Sequence, residues 1–328
     1  MTVDREIKDQ LARIPNVSIR EGALLSERTR FGIGGAAALY VEAATEAALG
    51  AILGIVRPDR APYTVIGSGT NLIVSDHGFD GIVLRYTAAG ISNQGNLLTA
   101  KAGAELETLV DYSIDRGLRG LETMTGIPGS VGAAIYGNAG AYGHSIDERV
   151  ASVRFLDGNQ VRGFGAAECR FRYRESIFKE HKDWTILSVT LDMTPAAASE
   201  LREIAGGILK IRLAKYPPEM KCAGSIFKNL ILAELPEEVR RQIPERVIRE
   251  GKAPSAYFLE QVGAKGMRKG GIQVADYHAN LIYNAGGGTA LELCELIGEL
   301  KARVRREFGF DLEEEVQYVG FSPAPQPA

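Results

Sequence analysis

The stretch Gly126-Ile127-Pro128-Gly129-Ser130-Val131-Gly132-Ala133-Ala134, followed by Asn138-Ala139-Gly140-Ala141-Tyr142-Gly143, decides how the chain is read. Successive residues with little or no side chain let backbone N–H groups come close to an anion such as a pyrophosphate, making a nest without help from a helix dipole. The same spacing fits a tightly packed backbone crossing equally well. Gly67-Ser68-Gly69-Thr70-Asn71 breaks the strand pattern of Tyr63-Thr64-Val65-Ile66 and offers a second small-residue loop to the same ligand. Glycine as a whole points the same way. It makes up 38 of 328 residues, against a usual share of about 7%, and its clustering without a period speaks for ligand loops and against a fibre.

Outward from that stretch the chain divides into three segments. The first, 1–85, alternates strands (Ala38–Val41, Tyr63–Ile66, Leu72–Val74, Gly81–Leu84) with a helix that Thr45 caps and Pro58 ends. The second, 86–215, is mostly strand: Leu97–Ala100, Ala151–Leu156 with a turn at Asp157-Gly158, and Thr185–Leu191. Helices are expected over Leu106–Arg116 and Ser199–Leu213, and Pro217-Pro218 marks a boundary. The third, 216–315, is α/β, with helices expected over Glu237–Glu250, Ala256–Val262 and Thr289–Phe308, the last closed by Gly309. A final strand, 316–320, is expected to join the first lobe, and 321–328 to be a disordered tail.

Composition removes several functions. With 38 basic against 41 acidic residues the net charge is −3, which gives no footprint for nucleic acid. The three cysteines, Cys169, Cys222 and Cys294, are scattered, so neither a disulfide framework nor a zinc site is indicated. The four histidines lie far apart, and no metal is expected. No run of about 18 apolar residues and no leader pattern occurs, so the expectation is a soluble, cytoplasmic protein without membrane contact. Gly32-Ile33-Gly34-Gly35-Ala36-Ala37 has a nominal dinucleotide fingerprint, but it lacks both the preceding strand and the later acidic residue that such a site needs. There is no nucleophile elbow. Phe171-Arg172-Tyr173-Arg174-Glu175-Ser176, Lys221–Asn229 and Glu313-Glu314-Glu315 each fit ordinary solvated edges when taken alone.

Together and in order, these words resemble the UDP-N-acetylenolpyruvoylglucosamine reductase (MurB) family. The matching residues are Thr29–Gly35, Gly67–Leu72, Gly126–Gly129 through Asn138–Gly143, Tyr173-Arg174-Glu175-Ser176, Ala223–Asn229, His278-Ala279-Asn280 and Glu315-Val316. The resemblance implies an α+β chain, with an FAD-binding fold of the p-cresol methylhydroxylase type in two α/β lobes and a smaller α/β substrate-binding domain. It implies FAD, NADPH as reductant, and reduction of UDP-N-acetylglucosamine enolpyruvate to UDP-N-acetylmuramate in peptidoglycan precursor synthesis. Hydride passes from flavin N5 to C3 and a proton from Ser225 to C2, while Arg174 and Glu315 stabilise the enolic carboxylate.

The resemblance further assigns cofactor contacts to Gly67, Ser68, Gly69, Thr70, Asn71, Gly126, Ile127, Pro128, Gly129, Ser130, Gly132, Ala133, Asn138, Gly140, Ala141 and Tyr142. Substrate contacts fall to Tyr173, Lys215, Lys228, Asn229 and Asn280. Leu230 and Leu281 depart from the family's usual proline and phenylalanine. The short passage from Thr185–Leu191 to the Ser199 helix places the chain with the shorter subclass, which lacks a tyrosine-bearing insertion. Its partners are then small molecules only, and a monomer is expected. Another FAD-dependent oxidase or dehydrogenase of the same flavin fold, acting on a different alcohol or sugar, is the alternative. A non-catalytic nucleotide-sugar binder is a third reading, which purified protein without yellow colour would favour.

Overall fold

A computed structural model describes residues 3–56 and 62–321. The expected tail, 321–328, lies outside the described residues except for Phe321, whose ring meets that of Tyr318 at 5.5 Å. The contacts sort into two compact units, and the chain passes between them at 23/24, 36/37, 68/69, 79/80 and 218/219. Sequence pattern alone divides the chain into consecutive segments. The structure instead threads two short pieces, 24–36 and 69–79, into the C-terminal unit.

The first unit holds two larger sheets and two small two-stranded ones among the described residues. One larger sheet runs Val17–Leu24, Ala36–Ala43, Phe79–Tyr86, Tyr63–Ile66 in spatial order, with Tyr63–Ile66 parallel to Ile82–Arg85. The helix Glu46–Val56 buries Ala48, Leu49, Ile52, Leu53 and Val56, at the spacing of one helical face. Thr45 Oγ1 accepts from Ala48 N at 3.1 Å, the expected cap. The other larger sheet is antiparallel, in the order Gln160–Gly165, Val150–Asp157, Thr185–Asp192, Leu97–Lys101, Ile91–Gln94. Its hairpin closes at Gly158 (φ +60°), where Asp157 pairs with Gln160. The Gln160–Gly165 strand has little apolar pattern because nearly its whole length is exposed or half-exposed. Thr194–Pro195, paired with Leu118–Arg119, carries the chain directly into the helix Ala198–Lys215, with no inserted loop.

The second unit packs the helix Ala290–Phe308 and the shorter Ser255–Gln261 with the antiparallel strands Arg268–Lys269, Ile272–Ala275 and His278–Asn284. Thr289 and Glu292 form a capping box at the start of the long helix. Asp76 adds its two carboxylate oxygens to Ala290 N (2.8 Å) and Leu291 N (3.0 Å). The C-terminal strand Gln317–Val319 pairs in parallel with Leu72–Val74. Ile73, Phe31, Ile33 and Val316 are buried in this unit's core, and the two paired strands form a sheet of their own. Gly34 permits the approach, since a Cβ there would lie 2.7 Å from Val74 Cβ. The helix expected over 237–250 stops at Gln242. Ile243 precedes Pro244, which disfavours helical backbone at Ile243 and brings no N–H of its own. A single 3-10 turn, Glu245–Val247, follows.

Candidate active site

The glycine stretch is more ordered than a bare nest. Val131–Tyr136 is a short helix whose Ser130 N-cap hydroxyl accepts from Ala133 N at 3.4 Å. Its start is stitched to the 102–106 segment. Val131 N donates to Ala104 O and Gly132 N to Ala102 O, both at 2.8 Å, and Leu106 N donates to Gly129 O at 2.8 Å. Gly132 is therefore a packing glycine, since a Cβ there would sit 2.9 Å from Ala102 Cβ. Its N–H is committed to Ala102 O, so the close backbone crossing accounts for a glycine here. The N–H groups of Gly129 (φ +130°) and Ser130 donate to no group among the described residues.

Gly67 brings the two small-residue loops together. A side chain on it would meet Ser130 Oγ at 2.6 Å and Ala133 Cβ at 3.1 Å. Ser68 Oγ donates to Glu105 Oε1 at 2.9 Å, and Glu105 is bridged to Ser130 through the backbone. Gly69, Thr70 and Asn71 fall in the second unit, where a Cβ on Gly69 (φ +70°) would lie 1.8 Å from Arg28 O. Gly126 (φ +74°) donates its N–H to Glu107 Oε2 at 2.5 Å.

Three of the asparagines assigned to ligands have partners within the protein. Asn138 is buried; its Nδ2 donates to Arg172 O at 2.9 Å and its Oδ1 accepts from Asp147 N at 3.3 Å. Asn71 Nδ2 donates to Glu315 O at 3.0 Å, so it holds the catalytic candidate's backbone. Asn280, 2% exposed, spends its amide on Phe227 and Ser255.

Arg174 occupies a tight turn closed by reciprocal bonds between Arg172 and Glu175 (3.1 and 3.0 Å). It adopts φ +58°, a left-handed conformation that costs a non-glycine residue about 1–2 kcal/mol. Its guanidinium donates to Gly140 O (2.8 Å) and Asn138 O (3.4 Å) and lies 5.2 Å from the Tyr173 ring centroid. The turn and the Asn138–Tyr142 loop, separate in sequence, thus become one structure. Tyr142 (φ +53°) and Gly143 (φ +86°) form the tip of the small hairpin that pairs Gly140 with Ser145 and Ala141 with His144. Lys215 ends its helix with Nζ 5.0 Å from the Tyr216 ring centroid.

In the second unit, the extended segment 225–228 runs between two backbones and bridges each at single residues. On one edge Ser225 bridges Leu281, and Ile226 N donates to Asn280 O at 3.2 Å. On the other edge Glu315 N donates to Ile226 O at 2.7 Å and Lys228 N to Glu313 O at 2.9 Å. Ser225 and Glu315, ninety residues apart, therefore sit on adjoining backbones. The acidic triplet is only partly solvated, Glu313 being exposed and Glu314 half-buried. Glu313 pairs with Lys228, whose side chain is buried, and Glu314 takes buried Lys301 Nζ on both oxygens, at 2.9 and 3.0 Å. Asn229 Oδ1 accepts from Ser255 N at 3.4 Å. Sequence pattern does not single out Lys301 or Ser255, because a lysine within a helix and a serine at a helix start carry no signal. Burial pushes the Cys222 thiol up, against a hydrogen bond from Gly224 N–H and the charge of Arg30.

Residues 216–319 match the C-terminal domain of UDP-N-acetylenolpyruvoylglucosamine reductase. Residues 37–160 match an FAD binding domain. A UDP-N-acetylenolpyruvoylglucosamine reductase from Solibacter usitatus is 58% identical over 311 residues, 95% of this chain and all of that one. The chain belongs to the UDP-N-acetylenolpyruvoylglucosamine reductase family. Another member, from Carboxydothermus hydrogenoformans, is 31% identical over 96% of this chain and 98% of its own length. The crystal structure of the Thermus caldophilus reductase superimposes with a TM-score of 0.73 at 27% identity, covering 92% of this chain and all of that one. The family makes the chain an FAD-dependent oxidoreductase of peptidoglycan synthesis, UDP-N-acetylmuramate dehydrogenase.

Proposed function

We propose that this chain reduces UDP-N-acetylglucosamine enolpyruvate with NADPH as reductant, and that Ser225 delivers the proton to C2. The observation that carries the assignment is the Glu315 N to Ile226 O bond of 2.7 Å, which supports a shared place for the serine and the glutamate. FAD, when bound, supplies the hydride carrier. Unspent N–H groups at Gly129 and Ser130, beside a Gly67 that admits no side chain, fit a diphosphate, and these residues with Ser68 would hold it. Addition of hydride to C3 leaves negative charge spread over C2 and the carboxylate, for which a planar guanidinium is a fitting partner. The family resemblance gives that task to Arg174 and Glu315.

Serine is a weak acid in water and suits a strongly basic carbon that forms beside it. Lys228, buried and paired with Glu313, sets a cation three residues from Ser225. Among the described residues no helix is long and apolar enough to cross a membrane. The nucleotide-activated substrate and the free thiols Cys169, Cys222 and Cys294 support residence in the cytoplasm, with consequences for cell shape and division. A monomer is the expected state, which light scattering tests.

Separate half-reactions test the chemistry. Ser225→Ala should remain yellow and bleach with NADPH at near-normal rate. Its reoxidation by the enolpyruvyl substrate should slow about 10²–10⁴-fold, the usual weight of a positioned general acid. Normal reoxidation would remove the serine from the chemistry.

A further inference from the structure

Asn280 is buried and polar, and both of its amide N–H groups are engaged within the protein. Its Oδ1 accepts from Phe227 N at 2.9 Å, and its Nδ2 donates to Phe227 O at 2.8 Å and to Ser255 Oγ at 2.8 Å. Ser255 Oγ in turn donates to Phe227 O at 3.3 Å. Asn280 O also accepts from Ile226 N at 3.2 Å. A strand neighbour normally supplies one backbone pair per residue. Here one side chain takes both polar groups of Phe227 and a second side chain holds the first in place. Both are nearly inaccessible, Asn280 at 2% and Ser255 at 0%. Both N–H donors of the amide are thus engaged within the protein, and its oxygen takes the Phe227 N–H, which gives Asn280 a structural task.

We propose that Asn280 and Ser255 are a pair of positioning residues that fix the 225–228 strand, and with it the Ser225 hydroxyl, for proton delivery. The clamp grips two residues downstream of Ser225. The opposite edge of the same strand holds Glu315 through Ile226 O and Glu313 through Lys228 N. A strand position anchored on one edge by side chains loses its register there if the anchor goes. A displacement of the order of 1 Å at a catalytic group is enough to cost about 10²-fold in rate. The clamp thus sets the geometry between the serine and the glutamate without touching substrate. Gly224 explains why such an anchor is needed. It sits at φ +78° with open space around it, so the chain enters the strand from a flexible residue. Rigidity must come from the downstream side.

This proposal rests on the proton-donor role of Ser225, and the experiment separates the two. Asn280→Asp keeps the shape and one acceptor but loses the donor to Phe227 O and Ser255. In the FAD-loaded variant, reoxidation by the enolpyruvyl substrate should slow about tenfold or more, with NADPH bleaching within about twofold of wild type. Two readouts stand apart from turnover. Affinity of the oxidised protein for the substrate, measured by calorimetry, should stay within about twofold, and amide exchange at Phe227 should accelerate. Ser255→Ala removes a single oxygen of the clamp and should shift the same quantities in the same direction by a smaller factor, so the clamp stays testable even where Asn280→Asp folds poorly. Substrate affinity that falls in parallel with rate would return Asn280 to direct contact and overturn the proposal. So would wild-type reoxidation in both variants, or an unchanged Phe227 amide. Ser225→Ala measured beside them tells which idea has failed. If it reoxidises normally, the proton-donor reading is gone; if it stalls while the clamp variants do not, only the clamp is.

Discussion

Arg174 shows how a single residue can be expensive and still retained. Its left-handed backbone is one that glycine or asparagine adopts more cheaply, and its guanidinium is already tied to Gly140 O and Asn138 O. Those ties orient the planar fork. Arg174→Lys keeps the charge and the strained backbone but loses the planar fork. The expected outcome in stopped-flow is normal bleaching by NADPH and a reoxidation rate lowered about 10²-fold or more. Glu315→Gln should strike the same half-reaction. Loss of NADPH oxidation with an artificial acceptor in either variant would contradict the roles given to them. None of this was legible from spacing. Tyr173-Arg174 looks like a solvated strand edge, and only the resemblance singles it out. Its partners at 138–140 are set by a turn geometry that no local pattern announces.

Among the elements, the helix Glu46–Val56 carries its own fastening. Burial alone would raise the Glu46 carboxyl, but hydrogen bonds from Lys101 and Arg154 and their charges hold it below the usual carboxylate range. Lys101 Nζ lies 3.1 Å and Arg154 Nη2 2.7 Å from it, so the first turn of the helix is bound to two strands of the neighbouring sheet. A carboxyl held low in the folded state stabilises above its unfolded pKa and stops doing so as pH falls through its folded value. Glu46→Gln should therefore lower stability by about 1 kcal/mol near pH 7, allowing for partial exposure, or roughly 2–4 °C in melting temperature. That deficit should shrink as pH falls below about 4, whereas a deficit that stays equal from neutral pH into that acid range would show a packing effect. The helix itself was plain in the sequence, because its apolar period and its threonine cap are local. So were Tyr63–Ile66, Leu72–Val74 and Thr185–Asp192, whose apolar runs are local, whereas Val17–Leu24, Ile272–Ala275 and His278–Asn284 were not read. The Val131–Tyr136 helix was not, since alanine and glycine give no amphipathic contrast and its start is fixed by bonds to residues 102 and 104. Nor could the acidic triplet be read correctly. The lysines that neutralise Glu313 and Glu314 come from a distant strand and from the last long helix.

For the molecule as a whole, the threading of the chain matters more than either unit alone. Segments 24–36 and 69–79 contribute Phe31, Ile33 and Ile73 to the second core, yet each is flanked on both sides by strands of the first unit's sheet. Neither core can come apart without releasing segments that the other holds at both ends, so the two should open in one transition. The thiols report on this. Cys169 belongs to the first core, while Cys222 and Cys294 lie in the second unit. Burial pushes Cys169 up to about 12, with Glu168 adding to it, and Cys294 up to about 11, with Asp76 and nearby glutamates adding to it. At pH near 8 both stay almost wholly as the unreactive thiol, and labelling of Cys169 and Cys222, which are buried, proceeds through opening. Saturating the protein with FAD at about a hundred times its dissociation constant should slow opening-limited labelling of Cys169 about a hundredfold, because ligand stabilises only the closed form. If the threading couples the cores, buried Cys222 slows by the same factor even though the matched FAD binding domain ends at residue 160. Residue-resolved mass spectrometry after timed alkylation measures all three at once. Protection confined to Cys169 would mean that the C-terminal unit opens on its own and that the five crossings are connections without mechanical consequence.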